Sequence, residues 1–392
     1  MAGLRALSSC IPFSRKGTGE SARSVSAPDE DALTLAVDAA LPIVEAHRVS
    51  GGAMSGASFA SIVPPAPGKS CASIAGAACD LPLERARSID FAGTPRAGVQ
   101  ALIAAWERLA ADPFCADVLI TASDVREGAA AVALIAGRKD PIAEILGVHS
   151  VSASTLEDPG SFTDSMRAAI AGALTSARVQ PSDVARFAIG APSAADAIAL
   201  LQATRVDTAK LAPLFHDRFG DTGCAQPLLS LAASLESMRP GEVVVLAAWG
   251  DGADAVVLRA TDAIARHASP RTVAAQLEGS FVAAPAAGAT MTGGPGLRLA
   301  GSKCRRCAAV QFPAGPVCAV CRQEGSDPIR LSRLGHTVAA ERDGLVLVDL
   351  IGGGRLDVAI TGSESRLDAG TPVTLALRRG AAGYVWKARP NR

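Results

Sequence analysis

Aromatic residues are scarce in this chain, with one Tyr, three Trp and ten Phe in 392 residues. That leaves little for stacking on bases, and 38 basic against 38 acidic residues give no net field to draw nucleic acid or an anionic membrane. No apolar run reaches roughly 18 residues without a charge or a break, so no membrane-spanning helix is expected. The opening MAGLRALSSCIPFSRKG has too short an apolar stretch before its charges for a secretory signal, and a cytoplasmic location is the expectation. Neither a Gly-Lys-Ser/Thr phosphate loop nor a GxGxxG pattern occurs. The glycines of GDTG (220–223) and GDGAD (250–254) serve tight turns and close backbone approach instead.

What the chain does have is a repeat. Residues 91–137 contain FAGTPRAGVQALIAAWERL, ADVLITASD and EGAAAVALIAG; residues 219–260 contain FGDTGCAQPLLSLAASLESM, GEVVVLAAWGD and GADAVVLRA. Each copy offers a Gly/Thr turn, a helix of about four turns, an apolar strand closing in a charged turn, and a further apolar strand. Val99, Leu102, Ile103, Trp106 and Leu109 fall at helical spacing, while ADVLITAS lacks polar alternation, as a strand covered on both faces does. Repetition on this scale predicts two similar halves, 1–150 and 151–262, packed as one structure.

Ahead of the first copy, GLRALSSCIP predicts a strand and residues 13–26 a polar loop. PDEDALTLAVDAALPIVEAH predicts a helix with Asp29, Glu30 and Asp31 in its first turn, complementing the dipole, and Leu33, Val37 and Ala40 on the buried stripe. SGGAMSGASFASIVPPAPG holds at most a short strand and a loop, and CASIAGAACDLP a short helix. Residues 150–164 read as a polar connector, and SMRAAIAGALTSARVQPSDVARFAIGAP as helix, turn and strand. Residues 263–300, including FVAAPAAGATMTGGPG, form a linker by composition, with an amphipathic piece at 272–277.

Five of the nine cysteines (Cys10, Cys71, Cys79, Cys115, Cys224) are scattered, as small buried hydrophobes of a reducing compartment are. The other four, Cys304, Cys307, Cys318 and Cys321, form two CxxC pairs separated by ten residues. Two tight knuckles at this spacing can place four thiolates around one Zn(II) and leave no coordination position open, which predicts a structural zinc ribbon over 301–330. Chance pairing or a disulfide pair is the competing reading. HTVAAER, GLVLVDLI, RLDVAIT, TPVTLALRR and GYVWKAR then predict a small all-β barrel over 331–392.

With its knuckles, the FP at 312–313 and the terminal GYVWKARP, the C-terminal block resembles the zinc-ribbon plus OB-fold domain that accompanies acyl-CoA-handling thiolase-type enzymes. DFAGTPRAGVQAL, DVLITASDVR, HDRFGDTGCAQPLL and WGDGADAVVL resemble the hydroxymethylglutaryl-CoA synthase branch of the thiolase superfamily. The resemblance implies an α/β protein: a duplicated thiolase-like αβαβα fold over 1–262, then a zinc ribbon and an OB barrel. It further implies pairing into dimers, a coenzyme A thioester as ligand, and Claisen or aldol chemistry on C–C bonds.

Members with Claisen activity place a nucleophilic Cys at the N-terminus of the first-copy helix, where the dipole lowers its pKa. Here that turn reads Gly93, Thr94, Pro95, Arg96, Ala97, Gly98, with no thiol. The implied catalytic His belongs in the loop IGAPSA, where Gly190 stands near its place, and the implied Asn where Asp221 stands. These departures predict a non-nucleophilic accessory or scaffold subunit, a homodimer and/or a hetero-oligomer with a catalytic thiolase. The alternative is an active hydroxymethylglutaryl-CoA synthase-like acyltransferase with a relocated nucleophile. Cys224 opens the second-copy helix, where a depressed pKa is physically reasonable, and His216 and Asp221 are near it in sequence. The plainer readings are a buried small cysteine and a surface or capping histidine. Arg96 and Arg126 end elements that a CoA phosphate could approach, but exposed arginines are usually only solvated.

Overall fold

The computed structural model describes residues 2–16, 23–82, 84, 86–153, 161–267, 269–277, 296–341, 344–362, 366–380 and 383–391. The chain divides into two compact units, one of residues 1–26 with 35–283, the other of residues 27–34 with 284–392. Residues 278–295 of the expected linker lie outside the described residues.

The first unit opens with strand β1 (Gly3–Cys10) and a small hairpin, β2 (Arg15–Lys16) with β3 (Arg23–Ser24), inside the stretch expected to be a loop. Then come α1 (Ala32–Val49), β4 (Met54–Ser61), α2 (Cys71–Ala78) and β5 (Arg87–Ala92). The first repeat is α3 (Ala97–Ala111), β6 (Asp117–Val125) and β7 (Ala129–Gly137). It is followed by β8 (Ala143–Ser152), α4 (Phe162–Ala177), β9 (Val184–Gly190), α5 (Ala194–Ala203) and the short α6 (His216–Phe219). The second repeat is α7 (Gln226–Leu235), β10 (Val243–Gly250) and β11 (Gly252–Ala260), with α8 (Val273–Leu277) after it.

Leu33, Val37 and Ala40 are fully buried, as the stripe on α1 requires. The three acids do not lie in its first turn. Asp31 precedes the helix and caps it: Thr34 N–H donates to Asp31 Oδ1 and Asp31 N–H to Thr34 Oγ1, both at 2.9 Å. Such a reciprocal side-chain cap satisfies donors that an earlier helical turn would have used, so the helix starts after it. Strand β8 and helix α5 were not foreseen. Strand β8, between β1 and β11, alternates buried and half-buried residues over 143–148 and then becomes largely exposed.

Nine of these eleven strands, all but β2 and β3, form one sheet in the order β5-β4-β6-β7-β1-β8-β11-β10-β9. Reading outward from the β1–β8 junction, β7, β6 and β4 on one side match β11, β10 and β9 on the other, as two copies of one unit would. The counterpart of β5 shrinks to a single bridge between Phe187 and Leu211 beside β9. At the other end, β5 carries exposed Arg87, Ile89, Asp90 and Ala92 and has no strand on its outer side among the described residues.

Alternation fixes the layers. Val244, Leu246 and Ala248 of β10 join the core built on α3 and α7, whereas Val243, Val245 and Ala247 face the core of α4 and α5. On the first half, Val118, Ile120 and Ala122 of β6 face α3 and α7. Near the C-terminus of α1, Arg48 donates to the carbonyl of Cys79, the residue that caps α2, at 2.8 Å. The sequence folds this way because both copies carry strands apolar on two faces, which need helices on each side.

In the second unit, β12 (Ala300–Cys304), β13 (Val310–Gln311) and β14 (Ser326–Arg330) form a three-stranded sheet. The remaining strands are β15 (Leu334–Thr337), β16 (Leu345–Leu350), β17 (Arg355–Ala359), β18 (Pro372–Gly380) and β19 (Gly383–Pro390), on the five segments read from the sequence. Their order is β17-β16-β15-β18-β19, and a bridge from Ile360 to Ala388 brings the two ends of the sheet together. Val346, Val348, Leu356, Val358, Leu375, Leu377 and Trp386 are buried in this curled sheet.

Candidate functional site

The two halves of the first unit meet at two helix starts, each held by the strand hairpin of the opposite half. At the first, Gly93 (φ +88°) turns the chain out of β5 and Arg96 caps α3 without a side-chain hydrogen bond to the helix. The Arg96 side chain is 8% exposed and turns toward the β10–β11 hairpin. It donates from Nη1 to Val151 O at 3.1 Å and from Nη2 to Asp251 O at 3.0 Å. Its Nε lies 3.5 Å from Asp251 Oδ1 and its Nη1 3.4 Å from Asp254 Oδ2. Gly250 permits this approach, since a Cβ there would stand 2.2 Å from Thr94 Oγ1.

The electrostatics follow from burial. The first turn of a helix carries partial positive charge and welcomes an anion. Here a guanidinium occupies that place, and two carboxylates offset it. Burial pushes Asp254 above the usual carboxylate range, opposed by Ser150 and Arg96; chiefly the Thr94 hydroxyl holds Asp251 below it. Arg96 is therefore a buried structural ion and not the solvated arginine that its exposed-residue reading expected.

At the second helix start, a short 3-10 turn (Gly223–Ala225) leads into α7, and Cys224 is 0% exposed. Its N–H donates to Asp124 Oδ2 at 2.8 Å and its Sγ to Ala60 O at 3.3 Å, so the sulfur is a thiol donor. Burial, then the Asp124 charge, pushes the Cys224 thiol well above its ordinary value. Asp124 Oδ1 also accepts from Ser61 Oγ at 2.7 Å and Ile62 N at 2.9 Å. Gly223 (φ +58°) makes room, a Cβ there falling 2.2 Å from Asp124 Oδ2.

Asp221 and His216 lie nearer the surface. Asp221 pairs with Arg126 at 2.6 Å and accepts from Gly223 N–H at 2.8 Å; the pairing pushes Arg126 up. His216 opens α6 directly after Phe215, which adopts φ +63°, and the imidazole lies against Ala191 of the IGAPSA loop. Burial pushes His216 below its ordinary value, leaving it neutral near pH 7. The structure thus brings His216 to the loop in which the resemblance implied a histidine, from a different element.

Asp124 and Asp254 were missed in the sequence. A lone carboxylate inside an otherwise apolar strand, as in LITASD and GADAVVL, is the signal that could have found them, because it must find partners on folding. Replacing Asp124 with Asn leaves one of its buried donors without an acceptor, and a loss of about 1–3 kcal/mol is expected in thermal or urea unfolding. The pH sign also follows. Asp124 is raised when folded, so the folded state gains a proton first, and this group favours the fold increasingly as pH falls through its raised value toward 3.8. The wild-type advantage over Asp124→Asn should therefore widen on acidification across that window.

In the second unit, the Sγ atoms of Cys304, Cys307, Cys318 and Cys321 all lie within 4.8 Å of one another. Cys304 to Cys321 and Cys307 to Cys318 are 3.6 Å apart, too long for disulfides and near the roughly 3.8 Å edge of a tetrahedron with Zn–S bonds of about 2.3 Å. Both knuckles are built alike. Ala308 N–H donates to Cys304 O and Arg322 N–H to Cys318 O, each at 3.0 Å, and both donor residues take φ +59°. Backbone N–H groups of Cys307 and Arg306 bring Cys304 down to about 6, and those of Cys321 and Val320 lower Cys318. The donor set and its spacing fit a four-thiolate metal site.

No family model matches the chain, and no curated protein does. Solved structures do share its fold. The 3-oxoacyl-[acyl-carrier-protein] synthase III of Aquifex aeolicus VF5 is 17% identical, with TM-score 0.56 over 66% of this chain and 100% of that one. The HMG synthase of the curacin biosynthetic pathway, solved with an acetyl donor-ACP, is 17% identical, with TM-score 0.59 over 72% of this chain and 86% of that one. PksG, an HMG-CoA synthase from Bacillus subtilis, is 16% identical, with TM-score 0.56 over 68% of this chain and 81% of that one. The mixed α/β architecture with its large central sheet is therefore shared with these synthases.

Proposed function

We propose that this chain is the non-nucleophilic subunit of a thiolase-type complex that makes or cleaves C–C bonds in acyl thioesters, with acyl-CoA as the ligand class. Its body binds a catalytic thiolase, alone or as a homodimer. Its ribbon holds a structural Zn(II) on Cys304, Cys307, Cys318 and Cys321, and its curled sheet is an OB barrel. One observation carries the reading: the start of α3, where a nucleophile would gain from the helix dipole, is filled by Arg96 between Asp251 and Asp254. The second helix start offers only a thiol withdrawn from solvent and held protonated by its surroundings. Neighbours named as a 3-oxoacyl carrier-protein synthase and HMG synthases support the thioester class. The strand order of the curled sheet, closed by its last strand, supports the five-stranded Greek-key barrel.

The test is the intact mass of the protein after incubation with acetyl-CoA or acetoacetyl-CoA, beside a Cys224→Ala control. The expected result is an unchanged mass, with Cys224 unlabelled by iodoacetamide until the chain is unfolded. An acyl adduct that disappears in the control would establish the relocated-nucleophile alternative instead.

A further inference from the structure

Asp29, Glu30 and Asp31 belong to the same compact unit as the C-terminal barrel, although Asp29 and Lys387 are 358 positions apart in sequence. Each acid meets its own partner there. Lys387 Nζ lies 2.7 Å from Asp29 Oδ2, which also accepts from Thr361 Oγ1 at 3.1 Å. Arg378 Nη2 lies 3.0 Å from Glu30 Oε1. Tyr384 OH donates to Asp31 Oδ2 at 2.9 Å, and Arg379 Nε stands 3.7 Å from the same oxygen. The main chain adds a fixed point, the Arg379 N–H donating to Asp29 O at 2.8 Å.

The β18–β19 hairpin pairs Leu377 with Trp386 and Ala376 with Lys387. Alternation therefore sets Arg378 and Lys387 on the face opposite Leu377 and Trp386, away from the apolar core of the curled sheet. Cations on such an outer face are ordinarily solvated. These two are 1% and 3% exposed. Charges so withdrawn persist only when paired and hydrogen-bonded, and the pairing groups here come from a remote segment. That segment is pre-shaped, with Ala27 N–H donating to Glu30 Oε2 and Glu30 N–H to Ala27 O, each at 2.9 Å, and it ends in the cap of a helix.

We propose that the β18–β19 hairpin, from Arg378 and Lys387 on that face round to Tyr384 and Arg379 on the other, is a receptor for an acidic peptide, loaded in cis by Asp29, Glu30 and Asp31 and able to take an equivalent segment in trans once the cis copy is withdrawn. Lys387, Arg378 and Tyr384 read three successive acids, and the Arg379 amide sets their register. The inference is independent of the thioester reading, and the occupant in trans is residues 27–34 of a second copy of this chain.

The experiment uses the full chain and a fluorescein-labelled peptide of sequence SAPDEDALT, followed by fluorescence polarisation. The variant Asp29→Asn/Glu30→Gln/Asp31→Asn should bind the peptide at least tenfold more tightly than wild type, whose own segment competes. Adding Lys387→Met to that variant, or replacing the peptide acids with their amides, should remove the binding. Equal binding by wild type and variant, or none by either, would overturn the proposal. Should the triple variant lose the wild-type near-ultraviolet circular dichroism, the deciding chain is Asp29→Lys/Lys387→Asp, read by hydrogen exchange at the Arg379 amide. Protection restored relative to Asp29→Lys alone supports the receptor, and protection equally lost in both overturns it.

Discussion

Replacing Cys304 with Ser is expected to release the proposed metal and unfold the three-stranded sheet around the four cysteines, while the nine-stranded body keeps its melting transition. The three-stranded sheet of the ribbon is short, and few of its side chains are withdrawn from water; Cys304, Cys318 and Ser302 are among those that are. So small a piece lacks an apolar core, and structural zinc in comparable peptides contributes an apparent ~10–16 kcal/mol at neutral pH. A missing thiolate leaves three ligands where four close the tetrahedron. The measurement pairs zinc content per chain with hydrogen exchange over residues 300–330. One zinc per wild-type chain, well below one in the variant, and selective loss of ribbon protection is the expected pattern. Full zinc occupancy in Cys304→Ser would show that the four sulfurs are not the ligand set.

The second large effect is expected from Arg96→Met. The methionine fills much of the same volume, but Asp254, 1% exposed, loses its cation. Removing one member of a buried pair strands the other charge and costs about 3–5 kcal/mol, or a fall in Tm on the order of 10 °C for a body of this size. The pH dependence separates this cause from simple misfit. Asp254 is already raised in the folded state and rises further without Arg96. The folded variant then binds a proton more readily than the unfolded chain, so its stability climbs as pH falls through the raised value toward 3.8. Arg96→Met/Asp254→Asn should recover much of the loss at neutral pH. Failure of the double variant to recover would locate the damage in packing and not in charge.

The repeat made the two helix–strand–strand units readable, because a strand such as Val243 to Ala248 is apolar on both faces, 118–122 is nearly so, and their helices carry one apolar stripe. The five C-terminal strands were readable from alternation, and the cysteine knuckles from spacing alone. Strand β8 was lost because Glu144, His149 and Ser150 break its apolar signal, though the alternation was present. Arg96 was misread since an arginine at a helix start is ordinarily exposed, and only folding brings Asp251 and Asp254 to it from the other half. The acids at 29–31 obeyed a sound local rule for helix starts and yet serve Lys387, Arg378 and Tyr384. Local pattern carries the elements. Pairings across hundreds of positions carry the site.

The sheet of the body has unlike ends. Beside β9, Leu211 bridges Phe187, while β5 carries exposed Arg87 and Ile89 and has no strand on its outer side among the described residues. Growth by strand addition needs a bare edge on each molecule that joins. Among the described residues β5 is the end with no strand beside it, so two copies joined β5 to β5 would leave no such edge for a third. That mode of joining would close as a pair instead of running on into a filament.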